Sequence, residues 1–275
     1  MNSFGGNGAH LNFYNEDMST ATVHDKEVEW AGQTLRLCPE RAVWCTPRAE
    51  PARGTLWIAD PHWGKADLFR RRGIPVPHDA TEADLLRLSV LLERTGATRL
   101  IVLGDLLHSR LDAKDAVVES VAVWREQHSE LDIRVVRGNH DRHAGPPLDA
   151  WRMSGCEEPY VLDHPPFILR HHPEDDPRGP VLCGHVHPSV TPRSEMHDAT
   201  VRTPCFHWEA GRGERGCTHG RLVLPAFGGF TGTQRIRPAE GDRVFAVAES
   251  SVLELPPAMV RGKAAPRRPA TPHRR

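Results

Sequence analysis

Residues 99–141 read RLIVLGDLLHSRLDAKDAVVESVAVWREQHSELDIRVVRGNHD. Residues 99–103 are almost wholly apolar and stop at Gly104-Asp105. A short apolar run bounded by Gly and Asp is the pattern of a strand buried on both faces. Residues 113–127 then carry apolar side chains at helical spacing. Residues 132–136 form a second strand-like run, which stops just before Gly138-Asn139-His140-Asp141. Two strands joined by a helix make a parallel βαβ unit.

The pattern extends in both directions. Upstream, residues 81–96 read TEADLLRLSVLLERTG. Thr81 suits an N-cap, Asp84 follows three residues later, and Gly96 suits a C-terminal stop. Before that helix, residues 54–59 form an apolar run ending at Asp60. Downstream the character changes. Short strand-like runs occupy residues 160–163, 167–171, 180–185, 202–208, 221–227, 243–248 and 251–255, with Gly, Pro and Asp between them and no strong helix. The expected fold class is α/β, with a second, more antiparallel sheet packed on the first. One two-layered domain is expected, because the residues with chemical potential come from both halves. There is no internal repeat.

Three regions are expected. Residues 1–25 are polar and Gly-rich and read as a disordered extension; Met18 is an alternative start, since the pattern begins only after it. Residues 26–256 form the folded domain. Residues 257–275 form a disordered tail with six Lys/Arg and no acid. The 275-residue chain has 36 acidic and 35 basic groups and a net charge of −1, so the body without its tail is acidic. That balance argues against a protein that coats DNA through global charge, and it suits one that holds cations. No apolar run approaches the roughly 18 residues of a membrane helix. The N-terminus lacks the apolar core of a secretory signal. Six cysteines without a CxxC pair read as reduced thiols of a cytoplasmic protein. Arg outnumbers Lys 31 to 4, a whole-chain bias that codon usage explains and that points to no site.

Five clusters stand at the ends of the expected strands: Asp60-Pro61-His62, Gly104-Asp105, Gly138-Asn139-His140-Asp141, His171-His172 and Gly184-His185-Val186-His187. Open α/β sheets bind ligands just beyond the carboxyl ends of their strands. Residues two apart in extended chain face one way, so Asp60/His62 and His185/His187 are each expected to present two groups to one site. Glycines before Asp105, Asn139 and His185 allow tight turns. Carboxylate, amide and imidazole donors without thiolate suit Mn, Fe or Zn. Seven such donors exceed one tetrahedral ion and suffice for two if a carboxylate bridges. Two ions about 3.5–4 Å apart are a common device for phosphoester hydrolysis. Each cluster alone is commonplace; the ordered set is not.

The set DxH, GD, GNHD, H and GHxH resembles the calcineurin-like metallophosphoesterase superfamily over about residues 50–230. The resemblance implies a sandwich of two mixed sheets flanked by helices. It implies that Asp60, His62 and His187 hold one ion, that Asn139, His171 and His185 hold the other, and that Asp105 bridges them. His140 would contact the phosphate and protonate the leaving oxygen, with Asp141 orienting it. His171 and His172 both qualify for the fourth motif; His171 is favoured because family ligands open it. Residues 63–77 (WGKADLFRRRGIPVP), 204–206 (PCF) and 224–232 (LPAFGGFTG) further resemble the ligase-associated DNA damage response endonucleases of PdeM type. Members are metal-dependent phosphoesterases associated with a DNA ligase and a helicase. The Gly-rich N-terminus, the polar stretch 209–220 and the basic tail depart from that pattern, but no motif residue is missing.

The expected function is therefore DNA phosphodiester hydrolysis by a two-metal centre, with Mn first and Fe or Zn as alternatives. The rivals are a phosphatase or phosphodiesterase of nucleotides and other small phosphoesters, and a metal-bound adaptor for ligase and helicase. An open basic groove favours DNA; a closed pocket favours small substrates; a missing ligand would favour the adaptor. Lys65, Arg70, Arg71 and Arg72 follow the first motif, either gripping a DNA backbone or forming a solvated helix face. Arg137 and His108 either touch substrate phosphate or support the site. Trp63 either stacks on a base or packs in the core. The loop 227–233 either borders the cleft or only turns.

Overall fold

The computed structural model describes residues 22–76, 79–145, 149–192, 201–213 and 217–260. Three antiparallel strands, β1 (Lys26–Trp30), β2 (Gln33–Cys38) and β3 (Ala42–Cys45), lead into four parallel ones, β4 (Thr55–Ile58), β5 (Arg99–Leu103), β6 (Asp132–Val136) and β7 (Ser154–Cys156). They form one seven-stranded sheet in chain order. A short helix α1 (Lys65–Arg71) and a long one, α2 (Ala80–Thr95), connect β4 to β5; α3 (Ala116–Gln127) connects β5 to β6; α4 (Asn139–Ala144) follows β6 directly.

Parity along the parallel strands sorts the core. Leu56, Ile58, Leu100, Val102, Ile133 and Val135 pack with Leu88, Leu91, Val121 and Trp124 of the helices. Their neighbours Trp57, Ile101, Leu103 and Val136 point to the other face, into a second core with Phe167, Leu169, Phe206 and Phe245. Each side chain so buried contributes about 1.5–3 kcal/mol. β4 and β5 are buried along their whole length, which is why they carry apolar runs rather than alternation, whereas β6 keeps the half-buried Asp132 and Arg134 between its buried residues.

The second core is closed by nine strands: β8 (Tyr160–Val161), β9 (Ile168–Leu169), β10 (Val181–Cys183), β11 (Pro188–Val190), β12 (Thr203–Glu209), β13 (Arg221–Val223), β14 (Gln234–Arg235), β15 (Arg243–Val247) and β16 (Val252–Leu255). All seven strands expected in this half are present. The sheet is mixed: β9–β10, β10–β13 and β11–β14 are parallel and the remaining pairs antiparallel. The molecule is thus an α/β sandwich of two mixed sheets flanked by helices, as the motif pattern implied. Ala59, beyond β4, bridges Ala226, beyond β13, and the Phe227 amide donates to Ala59 O at 2.7 Å. This seam brings the carboxyl ends of β4, β5, β6, β9 and β10 to one place.

At the edges, the His24 amide donates to Ser250 O at 2.8 Å, and a helical turn α5 (Pro257–Val260) follows β16. Most of the expected N-terminal extension and the tail from residue 261 lie outside the described residues. No described helix is long and apolar enough to cross a membrane. All six cysteines are free.

Candidate metal centre

The five clusters converge at the seam, but not by strand alternation. Asp60, His62, Asp105, His185 and His187 all adopt left-handed backbone, with φ of 52°, 50°, 50°, 70° and 50°. For a non-glycine residue this costs about 1–2 kcal/mol. The extended geometry expected for the DxH and HxH pairs is therefore corrected: each pair is kinked so that both side chains turn inward. The surrounding hydrogen bonds hold these kinks, with the Asp60 amide on Gly104 O at 3.1 Å and the His62 amide on Asp105 O at 3.0 Å.

Two donor groups result. In the first, His62 Nε2 lies 3.3 Å from His187 Nε2, which lies 3.4 Å from Asp60 Oδ1. His187 places Nδ1 3.0 Å from Gly232 O, which fixes that nitrogen as the N–H and leaves Nε2 with its lone pair. Burial, then His187 and His140, push the His62 imidazole down to about 2, so it stays neutral. In the second group, His171 Nε2 lies 2.9 Å from Asn139 Oδ1 and 3.0 Å from His185 Nδ1. His171 Nδ1 is 3.1 Å from Leu103 O, its hydrogen-bond acceptor. Asp105 Oδ2 lies between the groups, 3.7 Å from His62 Nε2 and 3.5 Å from His171 Nε2. Its other oxygen accepts the His140 amide at 2.9 Å. Burial pushes the Asp105 carboxyl up from its ordinary value.

These atoms fit divalent cations. Asp60 Oδ1 is fully buried without a hydrogen-bond partner, a costly state for a carboxylate oxygen. Two imidazole nitrogens face each other beside it, and three acceptor-type atoms meet at His171 Nε2. Hydrogens from the protein satisfy only part of this set; cations satisfy all of it. The sets Asp60/His62/His187, Asp60/Asp105/His171 and His171/His172/His185 each bring donor atoms within 4.8 Å of one another.

His171 and His172 take different places. His171 is fully buried among the donors, whereas His172 places Nδ1 2.6 Å from Glu158 Oε1. The other Glu158 oxygen accepts the amides of His171 and His172 at 2.9 and 3.0 Å. Glu158 thus anchors the chain that delivers His171. Sequence reasoning misses it, because a Glu beside Pro159 carries no local signal. In the sequence Asp84 reads only as part of a helix start. Its carboxylate accepts the Gly229 amide at 2.9 Å, and Arg87 of the same helix donates to Phe227 O, so α2 pins residues 227–229 against the first motif.

His140 rests with Nδ1 2.9 Å from His108 O and its ring stacked on His108 at 4.9 Å, leaving Nε2 unengaged. The His108 imidazole is pushed down to about 4 by burial and by His140, Lys65 and Arg72. Asp141, expected to orient the His140 ring, instead accepts the amides of Leu107 and Gly138 at 3.1 and 3.0 Å. It ties the loop after β5 to the start of α4, and the His108 carbonyl is what orients His140. Trp63 is 2% exposed and packs on Trp151, so it belongs to the core and stacks on no base.

The expected substrate-binding cations divide. Arg70 pairs with Asp67 and Arg71 with Asp115. Arg137 pairs with Glu157 at 2.9 Å. Arg72, at the end of α1, is exposed and has no carboxylate partner among the described residues. A cavity of about 510 Å³ lined by Ser89, Thr98, His128 and Leu131 lies at the opposite edge of the sheet, before β5 and β6, away from this chemistry.

No protein-family model and no curated protein sequence matches the chain. Among solved structures, the nuclease MPE of Pseudomonas putida matches at 35% identity with a TM-score of 0.68, covering 84% of this chain and all of that one. YfcE, a phosphoesterase from E. coli, matches at 16% identity over 73% of this chain and 97% of its own, with a TM-score of 0.36. Identity of that level over the full length of the nuclease, on a sandwich whose seam gathers the five motifs, places the chain in the calcineurin-like metallophosphoesterase family, hydrolases of phosphoester bonds.

Proposed function

We propose that this chain is a two-metal nuclease that hydrolyses DNA phosphodiester bonds. The observation that carries the reading is the buried, unpartnered Asp60 Oδ1 among converging imidazoles, in a chain 35% identical to a protein described as a nuclease. Asp60, His62 and His187 would hold one divalent ion, Asn139, His171 and His185 the other, and Asp105 would reach both. Manganese is the first choice for this oxygen-and-imidazole set, with iron and zinc accepted by the same donors. When bound, such a pair supplies Lewis acidity to phosphoryl oxygens and makes water acidic enough to attack near neutral pH.

The remaining work falls to the chain's own groups. Asp105 and Asp60 supply negative charge where two cations must sit close together. His140, its Nδ1 on the His108 carbonyl, holds Nε2 ready to give a proton to the leaving oxygen. The Leu103 and Gly232 carbonyls fix the His171 and His187 rings, and Glu158 anchors the backbone that delivers His171. The residue pattern 63–77 and 224–232 extends the reading to a cytoplasmic repair endonuclease working beside a DNA ligase and a helicase.

The test is a panel of supercoiled DNA, single-stranded DNA, bis-p-nitrophenyl phosphate and nucleotides, each with added Mn and with chelator. Metal-dependent cutting of DNA is the expected result. Rapid turnover of nucleotides with intact DNA would replace the reading by a small-phosphoester hydrolase. Inertness on every substrate, with retention of ligase or helicase in a pull-down, would leave the adaptor.

A further inference from the structure

The cations beside the metal centre differ in whether the protein already neutralises them. On α1, Arg70 and Arg71 are held by Asp67 and Asp115. Lys65 and Arg72, at the two ends of the same short helix, have no carboxylate partner among the described residues. Arg36, Arg94, Arg152, Arg178 and Arg243 are matched to acids, whereas the exposed Arg110, Arg235 and Arg237 have no acid among the described residues; what sets Lys65 and Arg72 apart is their place on the helix that follows the first motif. Lys65 is half-buried, with its ammonium 5.9 Å from the Phe230 ring centre. Its amide donates to His62 O at 3.2 Å, which ties the helix start to the first motif. The His108 amide donates to Trp63 O at 3.1 Å, so the His108/His140 pair lies against the same turn. Both Lys65 and Arg72 act electrostatically on the His108 imidazole, so the corner outside the metal donors holds imidazoles and two cations, with no acid paired to either cation among the described residues. A half-buried ammonium without a counter-ion is a cost that an anionic ligand removes.

We propose that Lys65 and Arg72 form a subsite for a second phosphate of a polynucleotide, adjacent to the phosphate that reacts. This rests on the nuclease reading above and deepens it. A small diester has one phosphate and leaves the subsite empty, whereas a DNA strand fills both. Binding energy taken there gives preference for a polymer without touching the reacting atoms.

The test measures binding separately from cutting. A fluorescent single-stranded oligonucleotide is titrated with the full chain in EDTA across a salt series, and cleavage of DNA and of bis-p-nitrophenyl phosphate is measured with Mn. Lys65→Ala/Arg72→Ala is expected to weaken binding about tenfold or more, the worth of one or two charge-assisted hydrogen bonds. The slope of log K against log salt should fall by about 0.7 for each phosphate no longer neutralised. On DNA the loss should appear in KM more than in kcat. Lys65→Gln/Arg72→Gln, which removes both charges but keeps polar side chains, should behave alike, and Arg48→Ala, paired with Glu29 on β1, should change neither constant. Parent-like affinity and salt slope in both double variants overturn the subsite while leaving nuclease activity standing. A parent chain that binds DNA through these residues yet never cuts it removes the nuclease reading and keeps the anion site. An equal fall of kcat on both substrates moves Lys65 and Arg72 into support of the metal donors and overturns the proposal.

Discussion

Gly184 stands directly against Asp60. A Cβ added at Gly184 would sit 2.6 Å from Asp60 Oδ2, the oxygen that accepts the His185 amide at 2.9 Å. The Ala59 Cβ closes the other side at 2.8 Å. The second sheet reaches the first at this point only because one residue has no side chain. Gly184→Ala must therefore move Asp60 or His185. We expect bound metal, measured by mass spectrometry of the purified protein, to drop. Phosphodiesterase activity should fall by about 10²-fold, the usual consequence of misplacing a reacting geometry by about 1 Å. Full metal occupancy with parent-like turnover would show that Asp60 does not need its present position.

Asp105 gives a prediction that thermal melting can check without substrate. Its carboxylate is buried beside Asp60, and burial holds its pKa above the ordinary value. Without cations, that negative charge is a liability to the fold. In EDTA, Asp105→Asn should melt at the same temperature as the parent or higher, since Asn keeps the His140 amide bond. With excess Mn the order should reverse, because binding to the native state alone stabilises the parent by RT ln(1 + [L]/Kd). Identical responses to Mn would remove Asp105 from the metal site.

Some of the architecture is readable in residues alone and some is not. Strands β4 and β5 are readable because burial on both faces leaves an apolar run with a Gly or Asp at its end, and β6 is readable from Ile133, Val135 and Val136 just before the GNHD motif. Strands β1 and β2 are not, since their core residues, Val28, Trp30, Leu35, Leu37 and Cys38, are interleaved with Lys26, Glu27, Glu29, Gln33, Thr34 and Arg36. Helices α1 and α4 have seven and six residues, too few to display an apolar stripe. The donors themselves are readable as motifs, but their left-handed backbone is not, because nothing in Asp or His demands it. Glu158 lies 13 residues before His171 and meets it only through the second sheet. Pairing also escapes a linear reading: Arg71 is neutralised by Asp115 from another loop, while Arg72 beside it is not.

The loop between β9 and β10 carries a pH signature. Asp176 accepts from Arg178 and Arg170, and chiefly the Arg178 bond holds its carboxyl well below the ordinary range. A depressed folded pKa stabilises the native state above the unfolded carboxylate value and loses that contribution as pH falls through the folded value. Asp176→Asn should thus lower the melting temperature at pH 7. The gap from the parent should narrow steadily below about pH 4, the unfolded carboxylate value. A gap independent of pH would mean that Asn loses packing rather than charge.

His140 separates proton transfer from metal binding. Its amide anchors on Asp105 and its ring Nδ1 on the His108 carbonyl, so one ring nitrogen is left over on a fixed frame beside His62. No described donor atom of the two metal groups depends on that nitrogen. His140→Ala should therefore retain metal while losing about 10²–10⁴ in rate on DNA, the usual contribution of a positioned acid. An alkoxide leaving from DNA needs a proton as the P–O bond breaks; nitrophenolate leaves without one. The same variant should accordingly lose far less on bis-p-nitrophenyl phosphate. Comparing the two substrates, with metal content measured on the same samples, checks all three expectations. Equal losses on both substrates with metal retained would make His140 a binder of the phosphate rather than its proton donor.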